Sequence, residues 1–194
     1  MSVRKAIQLT AVVVAVVVAV LVLRWYLPGR MPSPSDQLPN GSGGMTFVIA
    51  LDRDQRVGSA YNVRATGVPL TLLIDEDGIV RGIRRGAFLS KQALTSWLDD
   101  LIASEAPSRV LTEAPAVGYL APDFTLVTLD GGSVTLSQLR DRWVLVNFWT
   151  TWCTWCMYQM PFLQAAFEER GDEIEFIGIN WGESESRVRQ HMRG

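Results

Sequence analysis

A strand, a helix and a second strand follow one another near the end of this 194-residue chain, and they constrain its fold more than any other feature. Residues 143–149 (WVLVNFW) and 175–181 (EFIGINW) are nearly continuous apolar runs, as expected of strands buried on both faces of a sheet. A helix is predicted between them over residues 153–170, with a kink at Pro161. The two strands are therefore parallel, joined by a right-handed crossover, and the unit has open sheet edges that need further strands.

The missing strands are predicted upstream of residue 105, in a segment that also lacks enough partners to form a core alone. This segment comprises strands over residues 46–51, 70–75 and 79–85 and helices over residues 54–63 and 90–104. Residues 105–121 are rich in Pro and Ala and are interpreted as a linker. We therefore divide the body into 45–104, a linker at 105–121, and 122–194. Together these segments predict one α/β domain, a sheet with helices on both faces.

The first 44 residues are predicted to lie outside this domain. Residues 6–23 form an apolar run of about 18 residues, close to the roughly 20 that span a bilayer as a helix. We interpret residues 1–27 as an uncleaved transmembrane signal-anchor; a cleaved signal peptide is the alternative, although its apolar region is usually shorter. Arg4 and Lys5 precede the span, which favours a cytoplasmic N-terminus and an exported body. Residues 28–44, rich in Pro, Gly and Ser, predict a flexible tether.

Cys153 and Cys156 are the only cysteines of the chain, and both lie at the start of the helix that follows a buried strand. The unpaired N–H groups and the positive end of that helix favour a thiolate at the first cysteine. The second cysteine lies about one turn further and can close a small disulfide ring. This spacing predicts a redox-active pair.

Other uses of two cysteines fit the sequence poorly. A zinc site needs about four ligands, and His191 is the single histidine, interpreted as a solvated surface residue. Covalent haem attachment requires histidine after the second cysteine, where Met157 stands. A purely structural disulfide stays open, but closing so short a loop stabilises a fold very little. The net charge of −2, with no long block of one sign, argues against a nucleic-acid surface.

The segment VLVNFWTTWCTWCMYQMP at 144–161 resembles the active-site segment of thioredoxin-like proteins. It is most similar to the membrane-tethered extracytoplasmic thiol-disulfide oxidoreductases related to cytochrome c maturation. APDFTL at 121–126 and FIGINWGES at 176–184 resemble the same group. The family's later segments lie upstream here, as YNVRATGVPLTLLID at 61–75 and SKQALTSWLDDLI at 90–102. The resemblance thus implies a thioredoxin-like fold, a central mixed sheet, with its two halves in circularly permuted order.

Two arrangements of the permuted halves satisfy the same contacts. Residues 45–104 supply the C-terminal half of the family fold, and residues 122–194 supply the N-terminal half with the cysteine pair. The halves can pair within one chain, which we favour, or reciprocally between two chains in a domain-swapped dimer.

The resemblance also implies roles for individual residues. Those singled out are Cys153 as the attacking cysteine, Cys156 as the resolving cysteine, Pro69 as the cis-proline facing the pair, Val68 as a backbone contact for substrate, and Trp152 and Trp155 as substrate contacts. From the residues alone, Pro69 is equally well interpreted as an ordinary proline at the start of a strand.

The sequence departs from the family pattern at two positions near the cysteines. Trp155 stands where proline is frequent, and Gln159 stands where a glutamate that assists proton transfer is common. A neutral amide cannot take a proton there. Glu183 is the nearest remaining acid by pattern, and we interpret it as a surface or helix-capping carboxylate.

Taken together, the resemblance implies an extracytoplasmic enzyme at the cell membrane that reduces disulfides in other proteins. It implies apocytochrome c or its assembly factors as substrates, a membrane protein as electron donor, and neither cofactor nor metal. A disulfide oxidase or isomerase of the same fold is the nearest alternative. A peptide-binding module without catalysis is another. A peroxidase is disfavoured, because Val146 stands where the peroxidase motif requires proline.

Overall fold

A computed structural model of the chain describes residues 45–105 and 110–193. Its strands and helices, in chain order, are β1 (Val48–Asp52), α1 (Arg56–Ala60), α2 (Val63–Thr66), β2 (Leu70–Ile74), β3 (Val80–Arg85), α3 (Lys91–Ala103), β4 (Val110–Glu113), β5 (Tyr119–Leu120), β6 (Thr125–Thr128), β7 (Ser133–Thr135), β8 (Trp143–Trp149), α4 (Thr154–Arg170), β9 (Ile174–Trp181) and α5 (Glu185–Met192). A 3-10 helix, Leu136–Leu139, lies between β7 and β8. The predicted anchor and tether, residues 1–27 and 28–44, lie outside the described residues.

Among the described residues, no helix combines the length and apolarity needed to cross a bilayer.

Seven strands form one mixed sheet in the order β3-β2-β8-β9-β1-β6-β7. Strands β8, β9 and β1 are parallel neighbours, whereas β2 is antiparallel to β8 and β6 is antiparallel to β1. The upstream strands therefore flank the β8–β9 pair on both sides, β2 beside β8 and β1 beside β9. The prediction that the two segments combine in one mixed sheet with helices is confirmed, and this architecture is consistent with a thioredoxin-like α/β fold.

Two apolar cores lie on opposite faces of the sheet, because successive residues of a strand point to opposite sides. Leu145 and Trp149 of β8 face the core that also contains buried residues of α3, α4 and α5. Val146 and Phe148 face the other core, together with Tyr61. Both cores draw residues from both segments of the chain, so neither segment has a separate hydrophobic centre.

The helix predicted over residues 54–63 is present but shorter, as α1, and a second short helix, α2, begins at Val63. Asn62 adopts the left-handed conformation, with φ 58°, between α1 and α2. Asparagine tolerates this conformation better than most residues, so the chain turns there instead of continuing the helix. The turn carries the chain toward Gly67, whose φ of 78° leads into Pro69.

Part of the segment interpreted as a linker is folded onto the sheet. Strands β4 and β5 pair in parallel, and Leu120 makes an isolated bridge with Ile79. The N–H of Gly118 donates to the carbonyl of Val80 at 2.9 Å. Strands this short carry no periodicity of their own, and their partners are distant in sequence, so the pattern of residues could not indicate them.

Asp52, at the carboxyl end of β1, is fully buried, and its carboxylate accepts hydrogen bonds from the N–H groups of Gly58 (2.7 Å) and Val57 (3.3 Å). Burial raises the pKa of Asp52, and the two backbone hydrogen bonds oppose that rise only in part. The folded protein thus holds the Asp52 proton more tightly than the unfolded chain does. The stability that Asp52 contributes is present below its unfolded pKa and is lost as pH rises through its higher folded pKa.

We therefore expect the stability difference between the wild type and Asp52→Asn to depend on pH. The free energy of unfolding of the wild type, minus that of the variant, should fall as pH rises from about 3 to 7, since asparagine does not titrate. Urea unfolding at several pH values measures this difference. The exposed Asp172, replaced in the same way, serves as the control. If the difference for Asp52→Asn did not depend on pH, the raised pKa of Asp52 in the folded protein would be contradicted.

Candidate active site

The cysteine pair lies at the N-terminus of α4, just beyond the carboxyl end of β8. Cys153 is the N-cap residue of this 17-residue helix, and it forms a disulfide with Cys156 across a Cα–Cα distance of 5.2 Å. The Sγ of Cys153 also accepts the N–H of Cys156 at 3.1 Å. After reduction, this N–H and the positive end of the helix would stabilise a thiolate at Cys153.

The two sulfurs differ in their access to solvent. Cys153 is 7% exposed, whereas Cys156 is completely buried. Both cysteines are thus buried in the oxidised pair, and Cys153 is the one that keeps some accessible surface. This difference matches the attacking and resolving roles that the sequence predicts.

A cis-proline faces the pair, as the family resemblance implied. The Val68–Pro69 peptide bond is cis, and the carbonyl oxygen of Val68 lies 3.7 Å from the Sγ of Cys153. The loop is fixed on its other side because Gly86 donates its N–H to the carbonyl of Pro69 at 3.0 Å. The structure thus brings together residues that are distant in the sequence. Pro69 does precede a strand, β2, but it also has a cis bond and lies next to the cysteine pair.

The predicted aromatic contacts next to the cysteines are exposed. Trp152 is 62% exposed and Trp155 is 50% exposed. Trp155 stands edge-on to Tyr158, with 5.8 Å between ring centroids, and Tyr158 stands edge-on to Phe162 at 5.5 Å. Trp149, in contrast, is fully buried in the core. Large exposed indole rings beside a disulfide offer a contact surface to another protein.

Two buried amides lie on the sheet side of the helix that carries the cysteines. Gln159 follows Cys156 by three positions, so it lies on the same face of α4, and its Oε1 accepts the N–H of Phe88 at 3.1 Å. Asn147 of β8 donates from Nδ2 to the Oγ1 of Thr71 at 2.8 Å. Neither amide can accept a proton from a thiol at neutral pH. The structure therefore has no proton acceptor at Gln159, where the family commonly has a glutamate.

The interpretation of Glu183 as a surface or helix-capping residue is wrong. Glu183 is buried, and the side chain that caps α5 is that of Ser184. The carboxylate accepts hydrogen bonds from the N–H and hydroxyl of Thr151, each at 2.7 Å, and from the Nδ2 of Asn180 at 2.8 Å. It also pairs with the Nε of Arg187 at 2.8 Å.

The sequence did hold one clue to this arrangement. Glu183 is the second residue after β9, and Thr151 is the second residue after β8. Carboxyl ends of parallel strands meet at one edge of a sheet, and in open α/β sheets functional groups gather there.

His191 is exposed, as predicted, but it also contacts the site. Its Nε2 lies 2.8 Å from the Sδ of Met157, the residue after the second cysteine. Its ring centroid lies 6.4 Å from that of Trp149. The last turn of α5 therefore packs against the first turns of the cysteine-bearing helix.

Known proteins that resemble this chain include a thioredoxin-like protein and thiol-disulfide oxidoreductases. Residues 117–193, which include both cysteines, match the AhpC/TSA family. The thioredoxin-like protein YneN of Bacillus subtilis (strain 168) is 36% identical over 73 residues, which cover 38% of this chain and 43% of YneN.

Two further relatives are named thiol-disulfide oxidoreductase ResA. The protein from Geobacillus kaustophilus (strain HTA426) is 39% identical over 80 residues, 40% of this chain and 45% of its own length. The protein from Bacillus subtilis (strain 168) is 32% identical over 82 residues, covering 42% and 46% respectively. The chain spans less than half the length of each of these relatives.

Proposed function

We propose that this protein is a thiol-disulfide oxidoreductase that exchanges disulfides with other proteins through Cys153 and Cys156. The observation that carries the proposal is the disulfide at the N-terminus of α4, in which Cys153 is 7% exposed and Cys156 is completely buried. The relatives named thiol-disulfide oxidoreductase support the same activity.

The proposed reaction is a reduction of protein disulfides in two exchange steps. The Cys153 thiolate attacks one substrate sulfur, a bond forms between the two, and the other substrate sulfur leaves as a thiolate that takes a proton from water. The Cys156 thiol then releases its proton, and its thiolate attacks the Sγ of Cys153, which frees the second substrate sulfur. Two electrons have passed to the substrate, and the Cys153–Cys156 disulfide remains. A dithiol protein must return two electrons and two protons to restore the enzyme.

The substrate segment that carries the disulfide is proposed to lie in an extended conformation beside Val68 and Pro69. The short distance between the Val68 carbonyl and Cys153 supports this position, because a substrate bound to the loop backbone would present its sulfur to Cys153. The exposed rings of Trp152 and Trp155 would contact residues on either side of the substrate cysteine.

We also propose that the domain is a circularly permuted thioredoxin-like fold. The sheet order supports this proposal, since the strands of residues 45–104 complete the sheet on both sides of β8 and β9. The family match over residues 117–193 covers the segment with the cysteine pair, which the proposal takes as the N-terminal half of the family fold.

The proposal extends to location and partners. The apolar run over 6–23, preceded by basic residues, supports an anchor with the redox domain outside the cytoplasm. Such a protein would reduce apocytochrome c or its assembly factors and receive electrons from a membrane protein. These points rest on the sequence resemblance.

The reduction potential of the Cys153–Cys156 pair tests this function. We expect the full-length protein, kept in mild detergent and equilibrated with glutathione mixtures, to have a potential near the thioredoxin value of about −270 mV or lower. A potential near about −120 mV would identify an oxidase instead. A pair that does not cycle at all would favour the peptide-binding module.

A further inference from the structure

The loop between β8 and the cysteine-bearing helix is held by a carboxylate from a different part of the chain. Glu183 follows β9 and binds Thr151, two residues before Cys153, through both its backbone N–H and its hydroxyl. Within the loop, the N–H of Cys153 donates to the carbonyl of Thr150 at 3.3 Å. The position of the first cysteine is thus connected to Glu183 by a short path of hydrogen bonds.

Every contact of this carboxylate is with a donor. One oxygen accepts from the N–H of Thr151 and from Asn180, and the other accepts from the Thr151 hydroxyl and from Arg187. Burial by itself raises the pKa of Glu183, but the hydrogen bonds from Asn180 and Thr151, together with the Arg187 guanidinium, lower it below the ordinary value. A buried carboxylate with this many donors stays ionised at neutral pH.

The cation in this network is exposed, whereas the anion is not. Arg187 has a side-chain exposure of 59%, and that of Glu183 is 6%. Water screens the guanidinium more effectively than the carboxylate, so the pair leaves a net negative field at Thr151, two residues before Cys153. A thiolate formed at Cys153 on reduction is disfavoured by that field.

We propose that Glu183 is a positioning residue of the redox centre, which fixes the Thr150–Cys153 loop and, by its charge, makes the cysteine pair a stronger reductant. This inference rests on the proposed disulfide exchange and adds a residue that the pattern of the cysteine motif does not include. Glu183 touches no reacting atom and acts through Thr151.

The test compares Glu183→Gln with Glu185→Gln in the full chain. Glu185 is the matched control, because its carboxylate also forms ion pairs, with Arg53 and Arg189, but has no bond to the cysteine loop. In Glu183→Gln, we expect the equilibrium constant for reduction by glutathione to rise about three- to tenfold, since a negative charge next to the thiolate is lost. Glu185→Gln should stay within about twofold of the wild type.

Two further variants keep the inference testable if Glu183→Gln does not fold. Replacing the exposed Arg187 with Gln leaves the carboxylate uncompensated, so the same equilibrium constant should fall, opposite to the Glu183→Gln effect. Thr151→Val removes the hydroxyl, which donates to Glu183 and accepts from the Nε of Arg187 at 3.0 Å, but keeps the backbone N–H contact with Glu183. We expect the rate of disulfide exchange to fall about threefold with little change in the equilibrium.

The outcomes separate this inference from the proposed function. If the wild-type pair does not exchange with glutathione, the proposed function fails. Another outcome is that the wild type exchanges normally while Glu183→Gln and Arg187→Gln keep the wild-type equilibrium constant and lose only stability. In that case Glu183 is purely structural and the inference is overturned.

Discussion

Cys153→Ser is expected to abolish the reduction of protein disulfides, lowering the rate by about a thousandfold or more. Cys153 is the less buried of the two cysteines, and its Sγ lies 3.7 Å from the Val68 carbonyl oxygen, where a substrate is proposed to dock. A serine hydroxyl cannot perform thiol-disulfide exchange. Insulin reduction in the presence of a dithiol donor measures the rate directly.

Cys156→Ser is expected to give a different result, which identifies the order of the two cysteines. Cys153 can still attack, but the buried partner that releases the substrate is missing, so a covalent mixed disulfide should accumulate and be visible by mass spectrometry. Thr154→Ser, between the cysteines and exposed, is the control and should react like the wild type. Exchange activity that survives in Cys153→Ser would refute the proposed roles.

Phe148→Ala is expected to lower the free energy of unfolding by about 3–5 kcal/mol. Phe148 is fully buried on β8, and its ring centroid lies 5.2 Å from that of Tyr61 in the upstream segment. The substitution leaves a cavity where the two segments meet. Because a domain of this kind is stable by only about 5–15 kcal/mol, the loss is a large part of the total.

Urea unfolding followed by tryptophan fluorescence and by far-ultraviolet circular dichroism measures this loss. The matched control is Val127→Ala, an exposed position on β6, for which we expect a change below about 0.5 kcal/mol. One shared transition that shifts as a whole is the expected result. Two transitions, with only one of them shifted in Phe148→Ala, would mean that the segments fold independently.

The sequence predicted the fold best where the signal was local and strong. The apolar runs that became β8 and β9 could be identified from their composition, and Ser90 does accept the N–H of Ala93 as the N-cap of α3. The sequence did not predict the break at Asn62. Asparagine permits a left-handed backbone without requiring it, and tertiary packing decides whether the chain adopts it.

The candidate site divides along the same line. The spacing of the cysteines predicted a pair that can close a disulfide, and the structure has that disulfide. The cis bond at Pro69 followed only from the resemblance, because residue preferences alone favour a trans bond. Glu183 was misinterpreted because its partner Thr151 is 32 residues away, and only the positions of both residues just after parallel strands hinted that they meet. The amino acids near the reaction were predictable, and the carboxylate that supports them was not.

The bridge between Leu120 and Ile79 has a consequence for the behaviour of this protein in crowded solution. The segment that joins the two halves blocks the start of the outer β3 strand, where the N–H of Gly118 already occupies the Val80 carbonyl. At the far side of the sheet, β7 is only three residues long. Both edge strands of the sheet are therefore poor templates for adding a strand from another molecule, which opposes aggregation.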